Sequence, residues 1–168
     1  MRSVTALLLC CCLGLASCGW HLRGTVALPP NVQSIYLDDR AGNINFSRQF
    51  ERLLQSNGVT LAEQYNSADL IIEILEFNEE QRINSVSSST IVSEYEIITS
   101  VEYEVKNAVG AVLLESNRLS QSRPYTFDQN AVVSASQEAQ LIQRELQLDL
   151  AQQILRSLRF INTTPAQP

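Results

Sequence analysis

Between Ile91 and Lys106 apolar and charged residues alternate. Ile91, Tyr95, Ile97, Val101, Tyr103 and Val105 share one parity, while Glu94, Glu96, Glu102, Glu104 and Lys106 share the other. Successive side chains of a strand point to opposite faces, so this pattern predicts an antiparallel strand with one face buried and one wet, acidic face. The stretch before it, Ala68 to Ile83, carries Leu70, Ile71, Ile72, Ile74, Leu75 and Phe77, apolar on both parities, as a central or doubly covered strand requires. Both runs are well beyond the ~5 to 6 residues usual for a strand. Asn84 to Thr90 between them is small, polar and free of proline. The pair therefore predicts a long hairpin whose tip projects past whatever packs on the sheet.

The remaining elements arrange themselves around that hairpin. Val32 to Asp38 reads as a short buried strand. Asn43 to Asn57 places Phe46, Phe50, Leu53 and Leu54 on one helical face, with Asn45 or Ser47 as cap and Gly58 as the left-handed residue at the end. After a turn at Asn107 to Ala111, Val112 to Thr126 forms a strand of less regular alternation, and Pro124 assigns its far end to an edge. Ala135 to Phe160 is a long helix with Ile142, Leu146, Leu150, Ile154 and Leu158 at steps of four, its apolar stripe broader than one sheet face needs. The order strand, helix, three strands, helix predicts an α+β two-layer sandwich over residues 31–161, with two helices on one face of a small mixed, mostly antiparallel four-stranded sheet. Residues 162–168 are expected to be disordered.

Ahead of this domain stands a leader. Met1, a charge at Arg2 and an apolar run from Val4 to Leu15 have the form of a secretory signal, and the run is far short of the ~20 residues of a membrane span. Leu15-Ala16-Ser17-Cys18 matches the lipobox of bacterial lipoproteins. Residues 1–17 are thus expected to be removed and Cys18 to carry the lipid, with residues 18–30, ending in Pro29-Pro30, as a tether. Cys10, Cys11 and Cys12 lie inside the apolar run with no small residue directly before them. Three cysteines leave with the leader and the fourth is acylated, which excludes a disulfide framework. Gly19 rather than Asp follows the anchor, and by resemblance to the enterobacterial sorting rule this favours the outer membrane, with the lipid at its periplasmic leaflet, over retention in the inner membrane.

Composition and spacing exclude several functions. Loss of Arg2 takes the formal charge from −6 to −7, and the chain has no Lys/Arg run, so it is not built to bind nucleic acid. The sole histidine, His21, sits three residues from Cys18, too close to the tether to serve a serine as base. No free cysteine, Cys/His metal set or phosphate-cradling glycine loop remains. The expected protein is not an enzyme and holds no metal or cofactor. One arrangement points to a ligand: with two successive hairpins, Arg82 and Arg123 reach the same end of the sheet, a basic spot beside Ser87, Ser88, Ser89 and Thr90 suited to a phosphate group or a partner loop.

The start Cys18-Gly19-Trp20-His21-Leu22-Arg23-Gly24, followed by a proline-containing link, a strand and a helix ending at Asn57-Gly58-Val59, resembles the outer-membrane LptE lipoproteins. The resemblance extends through the element order of the mature chain. It implies a non-enzymatic, palmitate-bearing plug in the lumen of the β-barrel translocon LptD, in a 1:1 complex, supporting barrel assembly and binding lipopolysaccharide during delivery. The other reading of the residues is a periplasm-facing lipoprotein subunit of a lipid-transport complex.

Overall fold

A computed structural model describes residues 28–86, 92–128 and 130–161. The chain runs β1 (Ser34–Asp39), α1 (Ile44–Ser56), β2 (Thr60–Leu61), a 3-10 turn (Tyr65–Ser67), β3 (Leu70–Val86), β4 (Val92–Asn107), β5 (Val112–Thr126) and α2 (Val132–Ser157), closed by a second 3-10 turn at Leu158–Phe160. The sheet has five strands in the order β2-β1-β3-β4-β5. The α+β class and the helices on one face agree with the sequence, and the extra strand is β2. It is two residues long and held by Thr60 N to Gln33 O and Ala62 N to Ile35 O, both 2.9 Å, too short to leave a periodic signal.

The sheet is mixed because β1 reaches β3 through the α1 crossover, which makes that pair parallel, whereas β3, β4 and β5 form successive antiparallel hairpins. β1 covers only Leu70 to Ile74 of β3, so beyond Ile74 one side of β3 is an edge. Opposite Tyr103 and Glu102, the residue Leu75 is extra in the ladder, a bulge that resets the parity of β3. Ile72 and Ile74 face the helices before it and Phe77 after it, which explains part of the two-sided apolar pattern. In β5 two more register shifts, between Asn117 and Leu114 and between Leu114 and Val112, account for its irregular alternation. Pro124 lies on that outermost strand, the kind of strand in a sheet to which proline is confined.

α1 begins at Asn43, whose side chain accepts from Phe46 N at 2.9 Å, so neither Asn45 nor Ser47 is the cap; Ser47 instead faces inward and is buried. Gly58 ends the helix with φ of 81°, as its lack of Cβ permits. α2 starts three residues earlier than the stripe suggested and gives way to the 3-10 turn at Leu158.

Two hydrophobic clusters fill the layer between sheet and helices. The larger joins Phe46, Phe50 and Leu54 of α1, Ile35, Ile72, Ile74, Val101, Tyr103 and Val105 of the sheet, and Leu150, Ile154 and Leu155 of α2. Burying each such side chain contributes roughly 1.5 to 3 kcal/mol. Ile161 belongs to the same cluster, and Leu28 packs against it partly buried. A smaller cluster lies toward the hairpin tip, made of Ile97, Tyr125, Ile142 and Leu146 with Tyr95 and Ala139 against it. Between them, on the same face of β4, Thr99 is fully buried between Ile97 and Val101, and its cross-strand partners are Glu79 and Gln121. A polar row thus divides the core.

Candidate functional site

The long hairpin is the feature that singles out a surface for interaction. β3 and β4 pair from Leu70 opposite Asn107 out to Val86 opposite Val92. α1 stops well short of that end. α2 alone follows the hairpin outward, and near its start Tyr95 stacks on Tyr125 with ring centroids 5.8 Å apart and meets Phe127 edge-on at 5.4 Å. Burial raises the Tyr125 hydroxyl above its ordinary range, and that hydroxyl accepts from Gln81 Nε2 at 2.9 Å. Ile83, Val132 and Val133 remain exposed toward this end.

The ladder places Arg82 opposite Glu96, which is opposite Pro124, while Arg123 is opposite Ile97 and thereby Gln81. Arg82 and Arg123 therefore reach the same end of the sheet, as the hairpin order predicts, but one residue out of step and so on opposite faces. Each is also engaged elsewhere. Arg82 Nε donates to Glu80 Oε1 at 2.8 Å on the helix-free face, and that bond lowers the Glu80 carboxyl below its usual range. Arg123 on the helix face is ion-paired with Glu145 of α2 and lies 3.9 Å from Asp149. The expected basic spot does not form, because pairing order fixes the end of a sheet while parity fixes the face. Cys18 and Ser87, Ser88, Ser89 and Thr90 lie outside the described residues.

The helix-free face is where the acidic parity of β4 lands, and it is less open than alternation alone implies. Glu94, Glu96, Glu102 and Glu104 are only partly exposed and each has a partner. Asn84 and Ser85 donate to Glu94, Ser122 donates to Glu96, and Arg118 bridges Glu102 and Glu76. Hydrogen bonds from Ser116 first, and from Arg118 next, hold the Glu102 carboxyl below its ordinary range. Nearer the chain entry Glu73 is only 2% exposed, with Arg40 Nη2 and Lys106 Nζ each 2.8 Å away. Lys106 also reaches Glu104 at 2.7 Å, which lowers that carboxyl and raises the ammonium. Lys106 had a signal in the sequence, since it falls on the acid parity of β4, whereas Arg118 on β5 meets Glu102 only through the register. Among the described residues no group of three or more His, Cys, Asp or Glu side chains is placed to hold a metal ion, and no helix is long and apolar enough to cross a membrane.

The fold and surface define a small α+β sandwich that presents a charge-paired sheet face and a projecting hairpin. Residues 32–158 match the family described as LptE, Lipopolysaccharide-assembly. The chain belongs to the LptE family of lipopolysaccharide-assembly lipoproteins. It is 24% identical over 148 residues to the LPS-assembly lipoprotein LptE of Yersinia enterocolitica, covering 88% of this chain and 70% of that protein. Against the LptE of Yersinia pestis strain Pestoides F the identity is 23% over 162 residues, covering 96% and 77%. In three dimensions it resembles a minor lipoprotein from Acinetobacter baumannii, with a TM-score of 0.64, 24% identity and coverage of 83% and 100%. It also resembles lipoprotein B from Nitrosomonas europaea, with a TM-score of 0.65, 28% identity and coverage of 84% and 90%.

Proposed function

We propose that the chain is anchored by lipid on Cys18 at the periplasmic leaflet of the outer membrane, fills the lumen of the barrel LptD in a 1:1 complex, and so assists lipopolysaccharide delivery without catalysing a reaction. The observation that carries this reading is the helix-free face of the hairpin. It is polar, its carboxylates are already paired by Arg82, Lys106 and Arg118, and it runs the length of β3 and β4. A barrel interior is polar, and a face whose charges are balanced within the chain enters such a space with little uncompensated desolvation. The edge of β3 beyond Ile74 carries Glu76, Glu79, Glu80 and Arg82, which discourage indiscriminate strand pairing while the domain waits for its partner. Arg82 with the Ser87 to Thr90 link is the proposed partner or ligand loop, whereas Arg123 serves to hold α2.

Mild detergent extraction followed by affinity purification tests this directly. The chain is expected to bring down one large barrel in equal amount; recovery of the chain alone, with its membrane level unchanged, sinks the plug reading. Cys18→Ala is expected to fold normally and to leave a smaller fraction of barrels filled at native expression. Equal filling by that soluble form reduces the lipid to an address.

A further inference from the structure

The described cations divide by layer. Arg40, Arg82, Lys106, Arg118 and Arg123, on the sheet or the loop after β1, all contact carboxylates. On the helices and the closing turn Arg48, Arg52, Arg144, Arg156 and Arg159 are all exposed and form no ion pair within the described residues, although the chain carries an excess of acid; of these, Arg52 of α1 and Arg144 of α2 come together. Both line the groove where the two helices meet, in two adjoining hollows of about 380 Å³ each that share Gln49, Arg52 and Arg144. Those volumes lie within the roughly 300 to 1,000 Å³ of small-molecule sites.

The groove is built rather than incidental. Gln49 Nε2 donates across it to Arg144 O at 3.0 Å, locking the helices at the level of the arginines. Its floor is Gln147, 7% exposed, whose Nε2 donates to Glu79 Oε1 at 3.0 Å. Glu79 is the cross-strand neighbour of Thr99, a fully buried residue whose Oγ1 has no partner within the described chain. Guanidinium groups recognise phosphate or carboxylate oxygens through paired N–H bonds, and primary amides offer both donors and acceptors to sugar hydroxyls. An apolar ligand finds little here, because Leu53 and Leu148 appear only in the hollow nearer the end of α1.

We infer that the groove between α1 and α2 binds an anionic saccharide, with Arg52 and Arg144 on its phosphate or carboxylate and Gln49, Gln143 and Gln147 on its hydroxyls. The chemistry stands on the groove itself; that the saccharide is the phosphorylated part of a lipopolysaccharide rests on the assembly reading. It also separates this ligand contact from the loop at Arg82, which is then left to the partner, on the opposite layer.

The test uses the full lipidated chain, isotopically labelled in mild detergent, titrated separately with glucose 6-phosphate, glucose and inorganic phosphate. Arginine Nε–H and glutamine side-chain resonances are followed. Glucose 6-phosphate is expected to shift the signals of Arg52, Arg144 and Gln49, glucose is expected not to, and inorganic phosphate is expected to bind at least 5-fold more weakly, an order-of-magnitude figure for losing a few hydroxyl hydrogen bonds. Arg52→Gln combined with Arg144→Gln should weaken the sugar phosphate about 10-fold or more, while Arg156→Gln, elsewhere on α2, should leave it unchanged. Shifts absent from the groove, shifts indifferent to the double variant, or equal affinity for inorganic phosphate each overturn the inference. So does a wild-type chain that binds no sugar phosphate while the double variant fails to recover LptD, since that assigns the arginines to a protein contact. If glucose 6-phosphate binds as expected but no barrel co-purifies with the wild-type chain, the groove stands and only its lipopolysaccharide source falls.

Discussion

The two ends of the sheet are built to different specifications. At the end where the described chain enters, five strands lie under two helices, and Phe46, Phe50, Leu54, Ile72, Tyr103 and Ile154 belong to one continuous core. Toward the hairpin tip only β3, β4 and β5 continue, α2 alone covers them, and the core shrinks to Ile97, Tyr125, Ile142 and Leu146. The row Glu79, Thr99 and Gln121 separates the two. The contrast teaches that stability is concentrated near the chain entry, leaving the far half as a ledge that displays strand surface. Local opening draws on the regions with fewest buried apolar contacts, and here those coincide with the surface proposed to meet a partner.

Truncating one residue in each cluster tests that division. Phe50 is fully buried, so Phe50→Ala should lower global stability by about 3 to 5 kcal/mol, measured by urea unfolding. Leu146→Ala removes one of the few apolar anchors of the ledge and should cost about 2 to 3 kcal/mol. Its effect on amide exchange should fall on the outer parts of β3, β4 and α2, with Leu70 to Ile74 keeping their protection. Equal loss of protection at both ends would make the molecule a single cooperative unit and dissolve the comparison.

How much of this was legible depended on which physical rule governed each residue. Alternation over Ile91 to Lys106 and the i, i+4 spacing of Phe46, Phe50 and Leu54 located the main elements, because periodicity maps directly onto a face. The bulge at Leu75 was illegible, since an extra residue in a run of Ile and Leu changes no composition. It alters which side chains meet across strands, and register was likewise what misplaced Arg123. A pairing order says that Arg82 and Arg123 share an end, but only the residue-by-residue ladder says that they do not share a face. The inter-helix groove escaped for another reason. Arg52 and Arg144 are 92 positions apart, as subtraction of their numbers shows, and each alone reads as an ordinary solvated helix residue.

A smaller effect should sharpen the strong half of the comparison. The Asp69 carboxylate accepts from Gln33 N at 2.9 Å and from Ser34 N at 2.8 Å, and these bonds, in that order, hold its pKa below the ordinary value of 3.8. They clamp the start of β1 against β3. The unfolded chain takes up the Asp69 proton at higher pH than the folded one, so the stabilisation is full above the ordinary carboxylate range. It is lost as pH falls through the lowered folded value. Asp69→Asn should therefore cost about 1 kcal/mol at neutral pH, discounted for the exposure of the site, with the gap from wild type closing at acid pH. A gap that stays constant with pH means that the amide fails on shape rather than on charge.

The smallest change acts on the boundary itself. Thr99 puts a hydroxyl with no partner in the described chain between Ile97 and Val101, where an unpaired buried polar group weakens the contact between the two clusters. Valine has nearly the same shape without that hydroxyl, so Thr99→Val should raise stability by about 0.5 to 1 kcal/mol, read as a higher urea midpoint. More telling is where the gain appears. Joining Ile97 to Val101 through an apolar side chain should slow exchange in the outer hairpin more than near the chain entry, bringing the two ends closer in stability. If Thr99→Val destabilises instead, the hydroxyl is bonded to something outside the chain, and the dividing row is a polar layer with its own partner rather than a seam between two cores.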